Sequence, residues 1–450
     1  MRTRLLGTGG SVIAAQMTLE TPVGPSESAS QIQLLQARRK VRVLFINDTA
    51  RNGGPGRSLL YILRFLDPKV VHRSVVLPRP GVISELYETH AVTEDLLFEP
   101  DLVENPIEPA DRPMMRDDFD APLLVKAKRG AVNVFRAGRA LARLTGLIRR
   151  GAYDLVYCNG TDADFAGGIL ARTSGAPVLW HVRYTSLPPV ARQVHDRLAA
   201  SQGVKRIICV SNASAQLFPH CPEKVRVIHN ALDTSEFDAR GITPTLKKEL
   251  GLPADAVVFG SQGRILPRKG YIEMIRAGEK ALSQMTTDER RRAYFAVLGD
   301  TPEDIQPDHL AECRALVAKL GLEDKFRFLG FCKDIKPYAA DFDVAVVPSV
   351  YADPLPRAVI EGMALGKPVV AFDVGGVSEM LRGGSTGSLV KVGDTDALAR
   401  EMLRYMRDPA LRAAHGKAGR ARVEQDFDGA IQARRIQNQI VEASGLVGSP

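Results

Sequence analysis

The sequence lacks paired-cysteine spacing, long apolar runs and any excess of acid. Its five cysteines (Cys158, Cys209, Cys221, Cys313 and Cys332) are scattered, odd in number and without a C-x-x-C pair. That excludes a disulfide framework or zinc ribbon and fits reduced thiols in a cytosol-like compartment. No stretch approaches the roughly 18–20 apolar residues needed to span a bilayer. Residues 9–20 are too short and too polar for a signal peptide, so a cytoplasmic protein is expected. There is no P-loop, G-x-S-x-G elbow or H-E-x-x-H helix. Basic–aromatic interleaving is missing too, so nucleic acid is not an expected partner.

What is present is ordinary in bulk: 450 residues, 45% hydrophobic and 25% charged, enough for two or three domains with sizeable cores. The net charge of +8 favours anionic partners. Arg129, Arg136, Arg143 and Arg150 recur at heptad spacing, interleaved with Val132, Phe135, Leu141, Leu144, Leu147 and Ile148. This predicts an amphipathic helix with a cationic stripe. The stripe fits first a solvated helix face; the sharper alternative is peripheral contact with an anionic glycan or with the inner face of an anionic membrane.

Residues 1–38 have little periodicity and read as a flexible tail. Apolar strands then alternate with helical stretches: 41–46, 75–77, 155–157, 178–180, 207–210 and 225–228. A second set follows at 257–260, 294–298, 326–328, 344–347 and 368–372. The alternation predicts an α/β chain of two doubly wound, parallel-sheet domains, over 39–235 and 236–425. A helix and tail at 426–450 are free to pack back on the first domain. The Pro- and Asp-rich stretch from Glu99 to Pro122 reads as a loop or lid. Open parallel sheets bind ligands beyond their strand carboxyl ends, so residues just after strands are the candidates.

Four groups stand there. Gly263, Arg264, Lys269 and Gly270 follow the first strand of the second set, and a glycine turn with a guanidinium and an ammonium suits a diphosphate. Asp353 follows the strand at 344–347, and Glu361 lies two turns on, in a helix expected to run from Pro356 to Leu365. Carboxylates beside a positive helix end suit a polyhydroxyl ligand that carries phosphate, although solvated acids on a plain crossover would read the same way. Gly53 and Gly54 open a helix after the first strand without the G-x-G-x-x-G spacing. His181 closes the strand at 178–180 and is open to a structural or a functional reading. Of three Asp-x-Asp pairs, only Asp162–Asp164 is placed at a strand's carboxyl end for a metal, and no metal site is expected from the set.

Taken in chain order, these stretches resemble the retaining glycosyltransferases of family four, with the GT-B fold of two facing Rossmann-like domains. The resemblance covers about residues 41–425. It rests on Asn52-Gly-Gly-Pro-Gly56, Cys209-Val-Ser-Asn-Ala-Ser-Ala215, Val227-Ile-His-Asn230-Ala-Leu-Asp233 with Phe237, and Gly263-Arg264 with Lys269-Gly270. Further matches are Val297-Leu-Gly-Asp300, Phe328-Leu-Gly-Phe331, Asp353 with Glu361, Gly366-Lys-Pro-Val-Val-Ala371, and Gly375-Gly376 with Glu379.

The resemblance implies transfer of a sugar from a nucleotide diphosphate-sugar to a hydroxyl acceptor (a glycan, lipid-linked glycan or small molecule) with retention. Arg264 and Lys269 would hold the diphosphate, Glu361 the ribose, and Asp353 the donor sugar. The amides of Leu355 and Arg357 would meet the phosphate, with His181, Gly53 and Gly54 across the cleft; no cofactor or metal would be required. Three positions depart from the family: Asp353 stands where Glu is usual, Pro356 where many members have Gly, and Ala231 where the linker has Gly. A non-catalytic nucleotide-sugar-binding module and a nucleotide-sugar epimerase of the same fold remain open as alternatives.

Overall fold

The computed structural model describes residues 39–47, 49–50, 53–103, 109, 121–302 and 308–446. The 1–38 tail, Asn52, Asp118, Asp120 and most of the Glu99–Pro122 stretch lie outside the described residues.

Short apolar runs become strands buried on both faces, as parallel sheets covered by helices require. Val41–Asn47 (β1), Val71–Leu77 (β2), Asp95–Phe98 (β3), Leu155–Asn159 (β4), Val178–Val182 (β5), Val204–Cys209 (β6) and Val225–Val227 (β7) form one sheet. Its order is β3-β2-β1-β4-β5-β6-β7, with every pair parallel. Val257–Gln262 (β8), Ala293–Leu298 (β9), Phe326–Phe328 (β10), Val344–Val347 (β11), Val369–Phe372 (β12) and Gly387–Val390 (β13) form the second. Its order is β10-β9-β8-β11-β12-β13, again all parallel. The expected pair of Rossmann-like domains is therefore present.

Strand order reverses between β1 and β4 in one sheet and between β8 and β11 in the other. Helices leave such a point on opposite faces and open a crevice beyond the strand ends. Gly53 follows β1, Arg264 follows β8, and Asp353 follows β11. The sequence reading missed β3 and β13. β3 is a four-residue edge strand, and β13 (Gly-Ser-Leu-Val) has weak intrinsic strand preference. β13 forms because its full length pairs with β12.

Helix α1 (Gly54–Phe65) buries Leu59, Leu60, Ile62 and Leu63 in the first core. Helix α2 (Leu123–Gly151) is the predicted amphipathic segment, but its arginines are not a uniform solvated stripe. Arg143 bridges Glu99 and Asp101 at 2.7 and 2.9 Å, and Arg136 reaches Asp101 at 3.4 Å. Helix α3 (Tyr271–Ser283) follows the β8 turn, and α4 (Arg357–Ala364) follows the Asp353 loop. The end of the chain carries two helices, α5 (Pro409–Asp426) and α6 (Gly429–Ser444). They break at buried Phe427, and the Asp428 carboxylate caps α6 by accepting from Ala430 N at 2.9 Å. Ile436, Ile440 and Val441 of α6 pack in the same core as Val41, Val43 and Phe45. Among the described residues no helix is long and apolar enough to cross a membrane.

Candidate active site at the two switch points

β8 ends at Gln262, and the chain turns through Gly263 and exposed Arg264 into a short 3-10 turn, Pro267–Lys269. Gly270 closes that turn with φ +72°, and a Cβ there would lie 1.8 Å from the Pro348 carbonyl oxygen. Only glycine lets the turn rest on the end of β11. The close approach brings Lys269 Nζ to 2.5 Å from Asp353 Oδ2. Sequence spacing suggested two fixed cations facing a phosphate; instead Lys269 is already paired with the first acid, 84 residues further along. From the other side the turn after β12 clasps the loop. Gly376 N donates to Asp353 O at 3.0 Å, and a Cβ on Gly375 would lie 2.1 Å from that same oxygen.

Pro356 is the N-cap of α4 rather than its first residue, so the helix begins one position later than expected. Among the described residues the backbone N–H groups of Leu355 and Arg357 take no partner, as at the exposed donor end of any helix. Glu361, 8% exposed, sits one turn inside. Its Oε1 accepts from Arg357 Nη2 at 2.8 Å and its Oε2 from Gln262 Nε2 at 2.5 Å. Gln262 Oε1 is buried without a partner, which leaves one acceptor beside the carboxylate. The Arg357 guanidinium also lies 5.1 Å from the Tyr61 ring of α1. Burial works against its charge, but Glu361 and Tyr61 outweigh burial and raise its pKa. Sequence reading gave Arg357 only a backbone role; its i,i+4 spacing to Glu361 was the available signal.

On the first domain Gly53 caps α1 and Gly54 begins it, with open space where a Gly54 side chain would be. His181 lies inside β5 and is 1% exposed. Its Nδ1 faces the Tyr157 hydroxyl and Arg183 Nη2. Because a guanidinium only donates, this network assigns Nδ1 as acceptor and places the proton on Nε2. Nε2 itself is buried without a partner. Burial, and then the Arg183 charge, push its pKa well below the usual histidine value, so the ring is neutral.

Arg183 and Asn159 were not singled out in the sequence, and Asn230 only as part of a family stretch, yet they join the pieces. Asn159 Nδ2 donates to Pro55 O at 3.2 Å, and Arg183 Nε donates to Asn159 Oδ1 at 2.7 Å. Arg183 Nη1 donates to Asn230 Oδ1, whose amide reaches Leu355 O at 3.4 Å. Thr185 Oγ1 donates to Ala352 O at 2.6 Å. The glycine turn, His181 and the Asp353 loop thus share one hydrogen-bonded wall. Polar side chains at the ends of otherwise apolar strands were the clue.

The family model for glycosyl transferases group 1 matches residues 243–422, and that for glycosyltransferase family 4 matches 112–236. A 2-deoxystreptamine glucosyltransferase of Streptomyces kanamyceticus is 30% identical over 310 residues, 64% of this chain and 77% of that one. A D-inositol 3-phosphate glycosyltransferase of Kribbella flavida is 30% identical over 305 residues, 62% of this chain and 69% of that one. The chain belongs to glycosyltransferase family 4. Its architecture is the GT-B fold. The solved structure of HepE from Anabaena in complex with UDP and glucose shares that fold, with a TM-score of 0.72 and 24% identity, covering 89% of this chain and 100% of that one.

In this glycosyltransferase Glu379 clamps the two domains. Its carboxylate accepts from Asn212 N at 2.8 Å and Ala213 N at 3.2 Å, and lies 3.1 Å from His229 Nε2. Burial alone would raise its pKa, but His229 and the two amides lower it. Among the described Asp-x-Asp residues, Asp341, Asp343 and Asp164 have protein partners. Asp341 and Asp343 anchor Lys247, and Asp343 also accepts from Val258 N at 2.9 Å. Asp164 is buried and accepts from Tyr184 Oη at 3.0 Å. Among the described residues no group of three or more His, Cys, Asp or Glu side chains could hold a metal ion.

Three buried histidines, His181, His195 and His415, set a pH dependence. His195 is held down to about 4 by burial, and His181 and His415 are shifted the same way. The unfolded chain takes up these protons near pH 6.5, whereas the native state refuses them until near pH 4 for His195. Stability is therefore complete above about pH 7 and falls through the window from 6.5 to 4. Each pH unit over which a native ring stays neutral while its unfolded counterpart is charged costs about 1.4 kcal/mol. Thermal melts should show Tm dropping between pH 7 and 5, with a shallower slope in His195→Gln. A flat Tm across that window contradicts the assignment.

Proposed function

We propose that this glycosyltransferase moves a sugar from a nucleotide diphosphate-sugar to a hydroxyl acceptor with retention at the anomeric carbon. The observation that carries the reading is the Lys269–Asp353 pair at the second switch point, between exposed Arg264 and the open amides of Leu355 and Arg357. Each member of the pair holds the other in place. When donor binds, the diphosphate takes Lys269 and the sugar hydroxyls take Asp353. Arg264 and the α4 amides complete the phosphate shell, and helix ends attract such anions. Glu361 and Gln262 Oε1 offer acceptors to the ribose hydroxyls, and neutral His181 offers its Nε2–H from the opposite wall.

No second carboxylate is proposed as nucleophile. The departing phosphate oxygen accepts the acceptor's proton on the same face, and this keeps the configuration. Arg264 and Lys269 supply the positive charge that a metal ion would otherwise bring. The relatives' names and the UDP and glucose seen with HepE support a nucleotide-sugar donor. A panel of nucleotide-sugar donors incubated with sugar acceptors, in excess chelator, tests this. The expected result is nucleotide release coupled to a product with the donor's anomeric configuration. Isomerised donor without transfer, or silence with every donor, overturns it.

Helix α2 adds a membrane-facing reading. Leu123 and Leu124 are 82% and 83% exposed, and Phe135 is 66% exposed, beside Lys126, Lys128 and Arg129. Apolar tips on a basic helix suit the surface of an anionic bilayer, where a lipid-linked acceptor would be found. Co-sedimentation with phosphatidylglycerol vesicles should fall severalfold in Leu124→Asp/Phe135→Asp and with added salt. Equal binding to neutral vesicles contradicts it.

A further inference from the structure

Arg183 follows β5 two residues after His181, and the mechanism above leaves its charge unused. It is half-buried, yet its guanidinium makes no ion pair among the described residues. Nε donates to Asn159 Oδ1 at 2.7 Å, Nη1 to Asn230 Oδ1, and Nη2 approaches His181 Nδ1 at 3.3 Å. All three partners are neutral. The Arg357 charge works against its own, and Asp164, which works in its favour, is engaged elsewhere, accepting from Tyr184 Oη at 3.0 Å. A guanidinium carries five N–H groups, so one on each terminal nitrogen is unfilled. A cation drawn out of water without a counter-charge works against the fold, and such a group in a cleft wall points to a ligand that supplies the charge.

A second observation comes from the neighbouring ring. The Nε2–H of His181 is buried and unpartnered, so this stretch of wall offers a further donor beside the guanidinium. The wall also meets the donor loop directly: Thr185 touches Ala352 O at 2.6 Å, and Asn230 reaches Leu355 O at 3.4 Å.

We propose that Arg183 is an oxyanion-binding residue of the first domain, with the two unfilled N–H groups of its fork receiving a phosphate or carboxylate of a ligand in the cleft. The oxyanion has two sources, the diphosphate of the donor or an anionic group on the acceptor. The donor arm rests on the nucleotide-sugar reading; the acceptor arm does not.

The test is calorimetric titration of wild type, Arg183→Gln and Arg183→Lys with UDP, GDP and ADP. Inorganic phosphate is then titrated into the free and the nucleotide-saturated proteins. Nucleotide binding at least tenfold weaker in Arg183→Gln, with binding of the bare nucleoside unchanged, assigns the oxyanion to the donor. Unchanged nucleotide binding, with loss of a phosphate site that the saturated wild type retains, assigns it to the acceptor. Arg183→Lys keeps the charge without the fork and should fall between. Asn230→Asp hands Arg183 an internal anion of nearly the same shape, at the cost of the 3.4 Å bond to Leu355 O; it should weaken the same titration in protein that a melting curve shows to be folded. Folded variants that match wild type within twofold in both titrations overturn the proposal. A wild type that binds no nucleoside diphosphate overturns the donor reading instead, and phosphate binding to the free protein then still decides on Arg183.

Discussion

Arg264→Ala and Lys269→Ala should each lower turnover by about 10²–10³-fold while the protein stays folded, the usual loss when one preorganised charge is removed from a developing anion. Arg264 is exposed on the turn after β8, so its loss leaves no cavity. Lys269 is only half-buried, and its pair with Asp353 sits at a partly solvated cleft, where an ion pair adds little to stability. Under the proposed function, both variants should therefore lower turnover without unfolding the protein. Steady-state kinetics with melting curves separate the two effects. Lys269→Ala carries a further consequence: Asp353 loses the ammonium that positions it, so the donor sugar as well as the phosphate is held less well. Near-normal turnover in both variants would remove the basis for placing the donor at this turn.

Glu361→Ala should cost about 3–5 kcal/mol of stability, because it strips the carboxylate from a largely buried pair and strands the Arg357 charge. The two side chains are only 13% and 11% exposed and meet at 2.8 Å. Gln262 Nε2 loses its acceptor as well, which adds to the cost. Arg357→Ala/Glu361→Ala should recover part of the loss, since the double variant buries no lone charge; a double-mutant cycle in urea measures the difference. Donor affinity should stay weak in the double variant, because the proposed ribose contact of Glu361 is gone in either background. A single-variant loss below about 1 kcal/mol contradicts the buried-pair geometry.

Much of the fold was legible because parallel strands buried on both faces are short apolar runs, and such runs stand out between helical stretches. β3 and β13 escaped for the opposite reason. One is a half-exposed edge, and the other is a Gly-Ser-containing strand formed by its neighbour. Gly53, Arg264 and Asp353 could be placed after β1, β8 and β11, because apolar runs mark where those strands end. Their partnerships could not. Lys269 and Asp353 meet only because Gly270 lets one loop rest on another, and no local pattern encodes that contact. Arg183 was passed over because its importance lies in the charge it does not find, which shows only when Asn159, Asn230 and His181 are seen around it. The cationic stripe of α2 was visible as periodicity, whereas its pairing with Glu99 and Asp101 depends on a loop end from elsewhere in the chain.

Binding of a nucleoside diphosphate, measured calorimetrically for wild type, Arg264→Ala and Lys269→Ala, bears most directly on the donor site. UDP, GDP and ADP serve as probes, each beside its bare nucleoside. A diphosphate site at the β8–β11 switch point predicts that one of them binds wild type and binds each variant at least tenfold more weakly, while the nucleoside contribution is unchanged. Equal affinity of wild type and both variants would contradict it.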